Sequence, residues 1–478
     1  MPPVTSPSVL AVDLGTTGVR AAIIRLDGTT VDEAHVACAY DRPSEGWAEI
    51  DPRRWWVATK SVLAALFPTQ DPRAIASIAV TGQAPTAALV TSDGTPTYPA
   101  ILWLDTRAAE EASELHEPSY YLGPKLKWLA RHQPDALRRA AVVAQSHSYI
   151  AHALTGAWSI DPSTAALSRP LWDPDARAWK KDMCASIGIN PALLPRIVES
   201  HHILGHVTKT AAEQTGLAEG TPVVAGGGDF AASALGAGVT DPGEACLMLG
   251  TAGNLLLPTS HFGRSPSLIH SHHVGVPCAL SIGGTLAGGA LEWFRSTMAP
   301  HASFEELEAK ASNVDLQKSE LLFIPYLAGE RTPIWNAHAT GAFVGLRLEH
   351  DLAHLYRAVL ESVALSFMHM AEIAKAEGHA VQNVVAANGA GKSALLRQLL
   401  SDALAAPLSY RPTGGGTLVG GAVLAALGSG LTSDPKAAAY WSRAMCEHSP
   451  RTEHTAIFSA KLKRRISIYE SYESITTR

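Results

Sequence analysis

The sequence predicts an α/β protein in two parts with mixed β-sheets, and three observations carry that expectation. Two apolar runs, Val9–Asp13 and Val19–Arg25, flank the turn L-G-T-T-G and read as a β-hairpin, after which Asp27-Gly28 turns the chain again. A second glycine-rich strand-and-turn region begins at Pro222. There Val223–Ala225 leads into Gly226-Gly227-Gly228-Asp229, and Cys246–Leu249 runs into Gly250-Thr251-Ala252-Gly253, a short echo of the N-terminal turn. Leu352–Lys375 carries Leu355, Val359, Val363, Phe367 and Met370 at three-to-four spacing, the period of a long amphipathic helix. Strands joined by hairpins exclude a purely parallel doubly wound sheet.

The remaining elements follow in order. Ile75–Val80 is a strand ending at Thr81-Gly82-Gln83, and Ala87–Val90 with Asp93-Gly94 repeats the strand-and-turn pattern. Arg107–Leu115 and Lys125–His132 read as helices, as does the small-residue stretch Phe230–Gly238. Asp241-Pro242-Gly243 marks the expected division into domains 1–242 and 243–478. Val384–Ala387 is a strand, N-G-A-G-K-S ending at Ser393 opens a helix over Ala394–Ala405, and a closing helix runs from Arg451.

Composition narrows the functional classes. At 478 residues and 46% apolar content the chain can build more than one core. The net charge of −6 and the lack of a long basic run argue against nucleic acid or an acidic membrane surface as partner. Five scattered cysteines without a C-x-x-C pair suggest reduced, mostly buried thiols rather than disulfides or zinc, which fits the cytoplasm. The start M-P-P-V-T-S-P-S lacks the stretches of a signal peptide. The uncharged segment Pro412–Ser433, rich in glycine, reads as a loop and a packed helix rather than a membrane span. His201-His202 and His272-His273 read as exposed loop histidines, Trp55-Trp56 as core, and Glu330-Arg331 as either a domain bridge or a local ion pair.

The chemistry sits in the glycine turns. Phosphoryl transfer needs backbone N–H groups aimed at phosphate oxygens, a metal and a base for the attacking hydroxyl. Asp13-Leu14-Gly15-Thr16-Thr17-Gly18 offers close backbone approach, two hydroxyls and a carboxylate for magnesium, directly after a strand. Asp229, after three glycines at a helix start, reads equally as a general base and as a helix N-cap. A-N-G-A-G-K-S lacks the first glycine of a Walker A loop, Ala386 standing there, and reads as a nucleotide contact on the adenosine side.

Together these motifs resemble the FGGY carbohydrate kinase family, and within it the xylulokinase-like branch. The resemblance runs in order through V-D-L-G-T-T-G-V-R (Val12–Arg20), G-W-A-E-I-D-P-R-R-W-W (Gly46–Trp56), W-L-D-T-R (Trp103–Arg107) and P-K-L-K-W-L (Pro124–Leu129). It continues through G-G-G-D-F-A-A-S-A-L-G-A-G (Gly226–Gly238), G-T-A-G (Gly250–Gly253), P-Y-L-A-G-E-R-T-P (Pro325–Pro333), G-A-F-V-G-L (Gly341–Leu346) and H-L-Y-R-A-V-L-E (His354–Glu361). It implies two actin-like (ribonuclease-H-like) ATPase domains around an interdomain cleft, binding ATP and Mg2+ and phosphorylating a hydroxyl of a small sugar or polyol. Asp229 matches the catalytic base and Asp13 the metal-linked aspartate, both counted as catalytic and metal-site residues. ATP would be held by Gly15, Thr16, Thr17, Gly250, Thr251, Gly253, Gly389, Ala390 and Lys392, and the acceptor by Gln83, Ala84, Pro85, Asp105 and Asp229. Self-association into a homodimer is left open.

The departures fall in the acceptor pocket. Where the family's branch reads Q-M-H-G, this chain has Gln83-Ala84-Pro85-Thr86, and where it reads W-N-D, Trp103-Leu104-Asp105. Phe230 stands in place of an asparagine after the base, Ala252 in place of a serine, and Leu122 in place of a small or hydroxyl residue. Lost hydrogen-bond partners change acceptor choice strongly while leaving the phosphoryl chemistry in place. Alternatives are a kinase for ribulose, erythritol or a similar acceptor, an actin-like ATPase without sugar transfer, and a kinase-derived sugar sensor.

Overall fold

The computed structural model describes residues 7–387, 389–411, 416–441 and 446–476. The chain forms two compact units: Met1–Thr240 with Ser271–Pro277 and Gly415–Ser442, and Asp241–His270 with Cys278–Gly414 and Arg443–Arg478. The expected division at 242–243 lies beside the break at Thr240–Asp241, and two later segments group with unit 1 by their contacts. The reason lies in the helix Thr417–Gly428, uncharged and almost wholly buried, which packs on strands near the N-terminus. It belongs to the stretch expected as a packed helix; among the described residues no helix is long and apolar enough to cross a membrane.

In unit 1, β1 (Ser8–Leu14), β2 (Gly18–Arg25) and β3 (Thr30–Ala37) form an antiparallel meander. β4 (Ile75–Gly82) lies parallel to β1 on its other side. Beyond β4 come Pro222–Val224, parallel, and Ile203–His206, antiparallel, while Gly227–Gly228 pairs with the end of β4. β1 is buried along its length because both faces are covered. Its even residues Leu10, Val12 and Leu14 join Trp55, Val62 and Ile150 in one apolar cluster. Its odd residue Ala11 faces the backbone of Gly421 on the opposite side.

Unit 2 repeats the arrangement. Glu244–Leu249 and Ala252–Thr259 make an antiparallel hairpin, Ala279–Leu286 extends it, and Asn383–Ala387 lies parallel to its first strand. The long helix Leu352–Ala376 contributes Val359, Val363 and Phe367 to a core shared with Leu247, Leu257 and Phe294. The short sequence echo thus reflects the same hairpin-plus-parallel-strand design in both units. Of the thiols, Cys38, Cys184 and Cys246 are buried, Cys278 is half-buried, and none of these is disulfide-bonded; the Cys446 side chain lies outside the described set.

The helix Thr417–Gly428 approaches the helix Asp229–Gly236 backbone to backbone: a Cβ at Gly420 would fall on the Ala232 carbonyl oxygen. Gly420→Ala is expected to lower stability by about 1–3 kcal/mol. An earlier urea unfolding transition is the readout, and an unshifted one would contradict this packing.

Candidate active site

The register of unit 1 brings the conspicuous aspartates to one edge of the sheet. Asp13 of β1 and Gly227 both pair with Thr81, and Leu14 and Gly228 both pair with Gly82, at the C-terminal ends of three parallel strands. Asp229 follows at once and is the first residue of its helix; the N-cap position belongs to Gly228, so the N-cap alternative for Asp229 does not hold. Gly226 permits this turn, since it adopts φ +73° and a Cβ there would collide with the Val80 carbonyl.

The Asp13 side chain is buried, with Oδ2 accepting from Arg20 at 2.7 Å and Oδ1 from the Thr81 hydroxyl at 3.2 Å. Burial raises its pKa, outweighing the opposing pull of Arg20 and Thr81. Asp229 is half-buried and accepts from the Phe230 amide at 2.7 Å. Burial and then the charge of Asp13 push its pKa up to about 7, against the Phe230 amide and Arg20. A carboxylate poised near neutrality can take a proton from a hydroxyl.

The glycine turn after β1 holds Gly15, Thr16 and Thr17, the last of these exposed. Trp103 Nε1 donates to the Thr16 hydroxyl at 3.1 Å, and the Tyr120 hydroxyl donates to the Ala84 carbonyl at 3.3 Å. Neither aromatic was singled out from sequence, although both fall in or beside the W-L-D-T-R and P-K-L-K-W-L runs. Gln83 continues β4, its N–H donating to the Leu14 carbonyl at 2.9 Å, and its buried side-chain amide has no hydrogen-bond partner in the protein. Ala84 and Pro85 follow, joined by a cis peptide bond.

Asp105 differs from expectation. Its carboxylate is fully engaged by the Arg107 guanidinium and by the amides of Ala48 and Arg107, and Arg107 stacks 3.6 Å over Trp47 and pairs with Glu49 at 2.7 Å. Asp105 is a clamp between loops, with its oxygens committed inside the protein.

Unit 2 gathers most of the expected nucleotide contacts. Gly250, Thr251, Gly389, Ala390 and Lys392 line one cavity of about 490 Å³, with Tyr356 and Phe304 among the other walls. That volume suits a small organic ligand. The helix Gly288–Met298 starts against the hairpin, the Gly288 and Gly289 amides donating to the Gly250 and Thr251 carbonyls at 2.8 and 2.9 Å. Gly253 is placed differently: it is buried one residue inside its strand, where a Cβ would press on Ala287 and Phe367. Packing of the long helix explains that glycine.

Two bland readings also change. His273 is buried, one ring nitrogen bonded to the Val239 carbonyl at 3.0 Å and the other accepting from the Val274 amide, and burial lowers its pKa to about 4. His272 is half-buried, so only the His201-His202 pair retains an exposed ring, at His202. Glu330 accepts from the Thr285 hydroxyl at 2.9 Å and from the Arg331 amide.

Hairpins built alike on two α/β units, each with a parallel strand beside its first strand, are the design of the two-domain actin-like class. Residues 8–236 match the N-terminal domain, and residues 245–429 the C-terminal domain, of the FGGY family of carbohydrate kinases. The chain belongs to that family and is a carbohydrate kinase that uses ATP. Xylulose kinase of Escherichia coli K12 is 32% identical over 435 residues, covering 87% of this chain and 89% of the relative. Autoinducer-2 kinase of Yersinia pestis is 29% identical, covering 97% and 95%. The crystal structure of xylulose kinase from Rhodospirillum rubrum superimposes with a TM-score of 0.92 at 31% identity, covering 98% of this chain and all of that one.

The raised pKa of Asp229 has a consequence for stability. The folded state holds this proton more tightly than the unfolded chain, so the stabilisation is complete below the usual Asp value of about 3.9 and is lost as pH rises through about 7. Asp229→Asn is therefore expected to stabilise at pH 8 by about 1–3 kcal/mol, allowing for solvent screening, and not at pH 4. Urea titrations at the two pH values check this; an equal effect at both would contradict it.

Proposed function

We propose that this kinase moves the γ-phosphoryl group of ATP to a hydroxyl of a short ketose or polyol, with Asp229 as general base. The acceptor O–H gives its proton to the Asp229 carboxylate as its oxygen bonds to the γ-phosphorus, and the bond from that phosphorus to the bridging oxygen breaks, releasing ADP. The observation that carries this reading is the register that sets Asp13 and Asp229 at one edge of the sheet, where burial and the charge of Asp13 push the Asp229 pKa up to about 7. The Gly15–Thr17 turn and the Gly250–Thr251 turn would grip phosphates through backbone amides and hydroxyls. The cavity bordered by Gly389, Ala390 and Lys392 would take the adenosine.

Magnesium fits the residues present. It binds proteins through one or two carboxylates together with substrate phosphates, and no cluster of three or more candidate ligands occurs among the described residues. Asp13, with Asp229 near it, supplies that sparse set of hard oxygens, and a bound Mg2+ would neutralise phosphate charge there. At the aspartate edge Arg20 already balances Asp13.

D-xylulose is the first acceptor to test, because the E. coli and R. rubrum relatives are xylulose kinases. A second reading, another ketose or polyol such as ribulose or erythritol, is favoured by the Ala84–Pro85 turn, which offers alkyl surface where the branch carries histidine. The cytoplasm, with its ATP, is the proposed compartment.

Asp229→Ala is expected to reduce transfer by at least about 100-fold while ATP binding persists; near-normal turnover would sink the assignment. A side chain at Gly389 would meet open space, so Gly389→Val is expected to weaken ATP binding about tenfold or more with the acceptor KM unchanged. Calorimetric titration with ATP reads the effect, and undiminished affinity would remove this cavity as the adenosine site.

A further inference from the structure

The chemistry above leaves a set of buried polar atoms unused. Two segments of unit 1 meet beside the end of β4: the turn Gln83–Thr86 and the start of the helix Ser146–Thr155 with its N-cap Gln145. They are tied twice, by the Thr86 amide donating to Gln145 Oε1 and the Ser146 hydroxyl donating to the Gln83 carbonyl, each at 2.8 Å. The side chains of Gln83, Gln145 and His147 are almost wholly buried, at 1%, 0% and 0% residue exposure. Yet both ends of the Gln83 amide, the Nε2 of Gln145 and both ring nitrogens of His147 make no well-formed hydrogen bond within the protein. Each buried polar group left unmet costs about 1–3 kcal/mol, and folded chains seldom gather several in one place without something to meet them.

His147 is also oriented. Its Nε2 lies 3.3 Å from Asp161 Oδ1. Asp161 is held in turn by the Ser163 amide at 2.8 Å and by the hydroxyls of Ser163 and Thr164. Asp161 thus fixes the place of the imidazole, and Nδ1 on its other side has no protein partner. The same Ser163 hydroxyl accepts from the Gly228 amide at 3.2 Å, one residue before Asp229. The unmet atoms are therefore linked by hydrogen bonds and strand register to the proposed base.

The combination is specific in chemistry. Gln145 Nε2 can only donate, the Gln83 amide both donates and accepts, and the His147 ring nitrogens can do either. A chain of C–OH groups satisfies all of these, because every hydroxyl both donates and accepts. A fully ionised anion has no proton for Gln83 Oε1, and an alkyl chain meets none of them. We propose that Gln145 and His147 form, with Gln83, a hydroxyl-reading subsite that determines which polyhydroxyl acceptor this kinase takes. The proposal rests on the kinase reading above and deepens it.

The test uses the intact protein and three probes, D-xylulose, D-ribulose and xylitol. Binding is measured by equilibrium dialysis without nucleotide, kcat/KM with ATP, and folding by melting temperature. Gln145→Glu keeps the oxygen that Thr86 needs and removes the donor. His147→Gln keeps polarity and length, and His147→Phe removes both nitrogens, so the conservative variant decides if the other fails to fold. The expected result is that the folded variants bind the preferred probe at least tenfold more weakly and alter the order of preference among the three. Folded variants with wild-type affinity and order would overturn the subsite and leave the kinase reading standing. Failure of the unaltered protein both to bind and to phosphorylate any of the three would overturn the subsite together with the proposed acceptor class.

Discussion

The cross-strand pair Asp13–Arg20 is the constraint on which the aspartate edge depends. Two carboxylates, Asp13 and Asp229, stand near one another in partly dry surroundings, where like charges oppose ionisation. Arg20 answers this from the neighbouring strand, directly opposite Asp13 in the register of β1 and β2, at 2.7 Å. A slip of one residue in that hairpin would turn Arg20 to the other face of the sheet. Hairpin register, carboxylate charge and the readiness of Asp229 to hold a proton are thus one coupled property.

Close backbone approach is the second recurring device. Gly226 lets the chain cross the end of β4 and deliver Asp229, and Gly420 and Gly236 let two helices of unit 1 meet without side chains between them. In unit 2, Gly288 rests against the Gly250 carbonyl and brings a helix N-terminus to the hairpin turn. Small residues here serve close backbone packing around the glycine turns.

Much of this was legible in the sequence because it is local. The β1–β2 hairpin, the strand at Asn383–Ala387 and the long helix Leu352–Ala376 each carry their own period and turn residues, and their boundaries fall within a few residues of expectation. The turn residues Gly15–Thr17 and Gly250–Thr251 were found for the same reason. What escaped was set by contacts between distant segments. The helix Thr417–Gly428 belongs to unit 1 because it packs on β1 and β4, and nothing within its own residues says so. Asp105 is consumed by Arg107 and backbone amides, and Gly253 is fixed by Phe367, partners that motif reading does not supply. His147 and Asp161 carry no motif of their own, and become conspicuous only when burial and missing partners are seen together.

The central claim is that Asp229 is held near neutrality so that it can accept a hydroxyl proton. Carbon-13 NMR of the protein labelled at aspartate carboxyl carbons, titrated from pH 4 to pH 9, tests it most directly. The account predicts one resonance, absent in Asp229→Asn, with a midpoint near 7, and an acidic limb of kcat/KM at the same midpoint. An Asp229 resonance that titrates wholly below pH 5, with activity flat between pH 5 and 8, would contradict it.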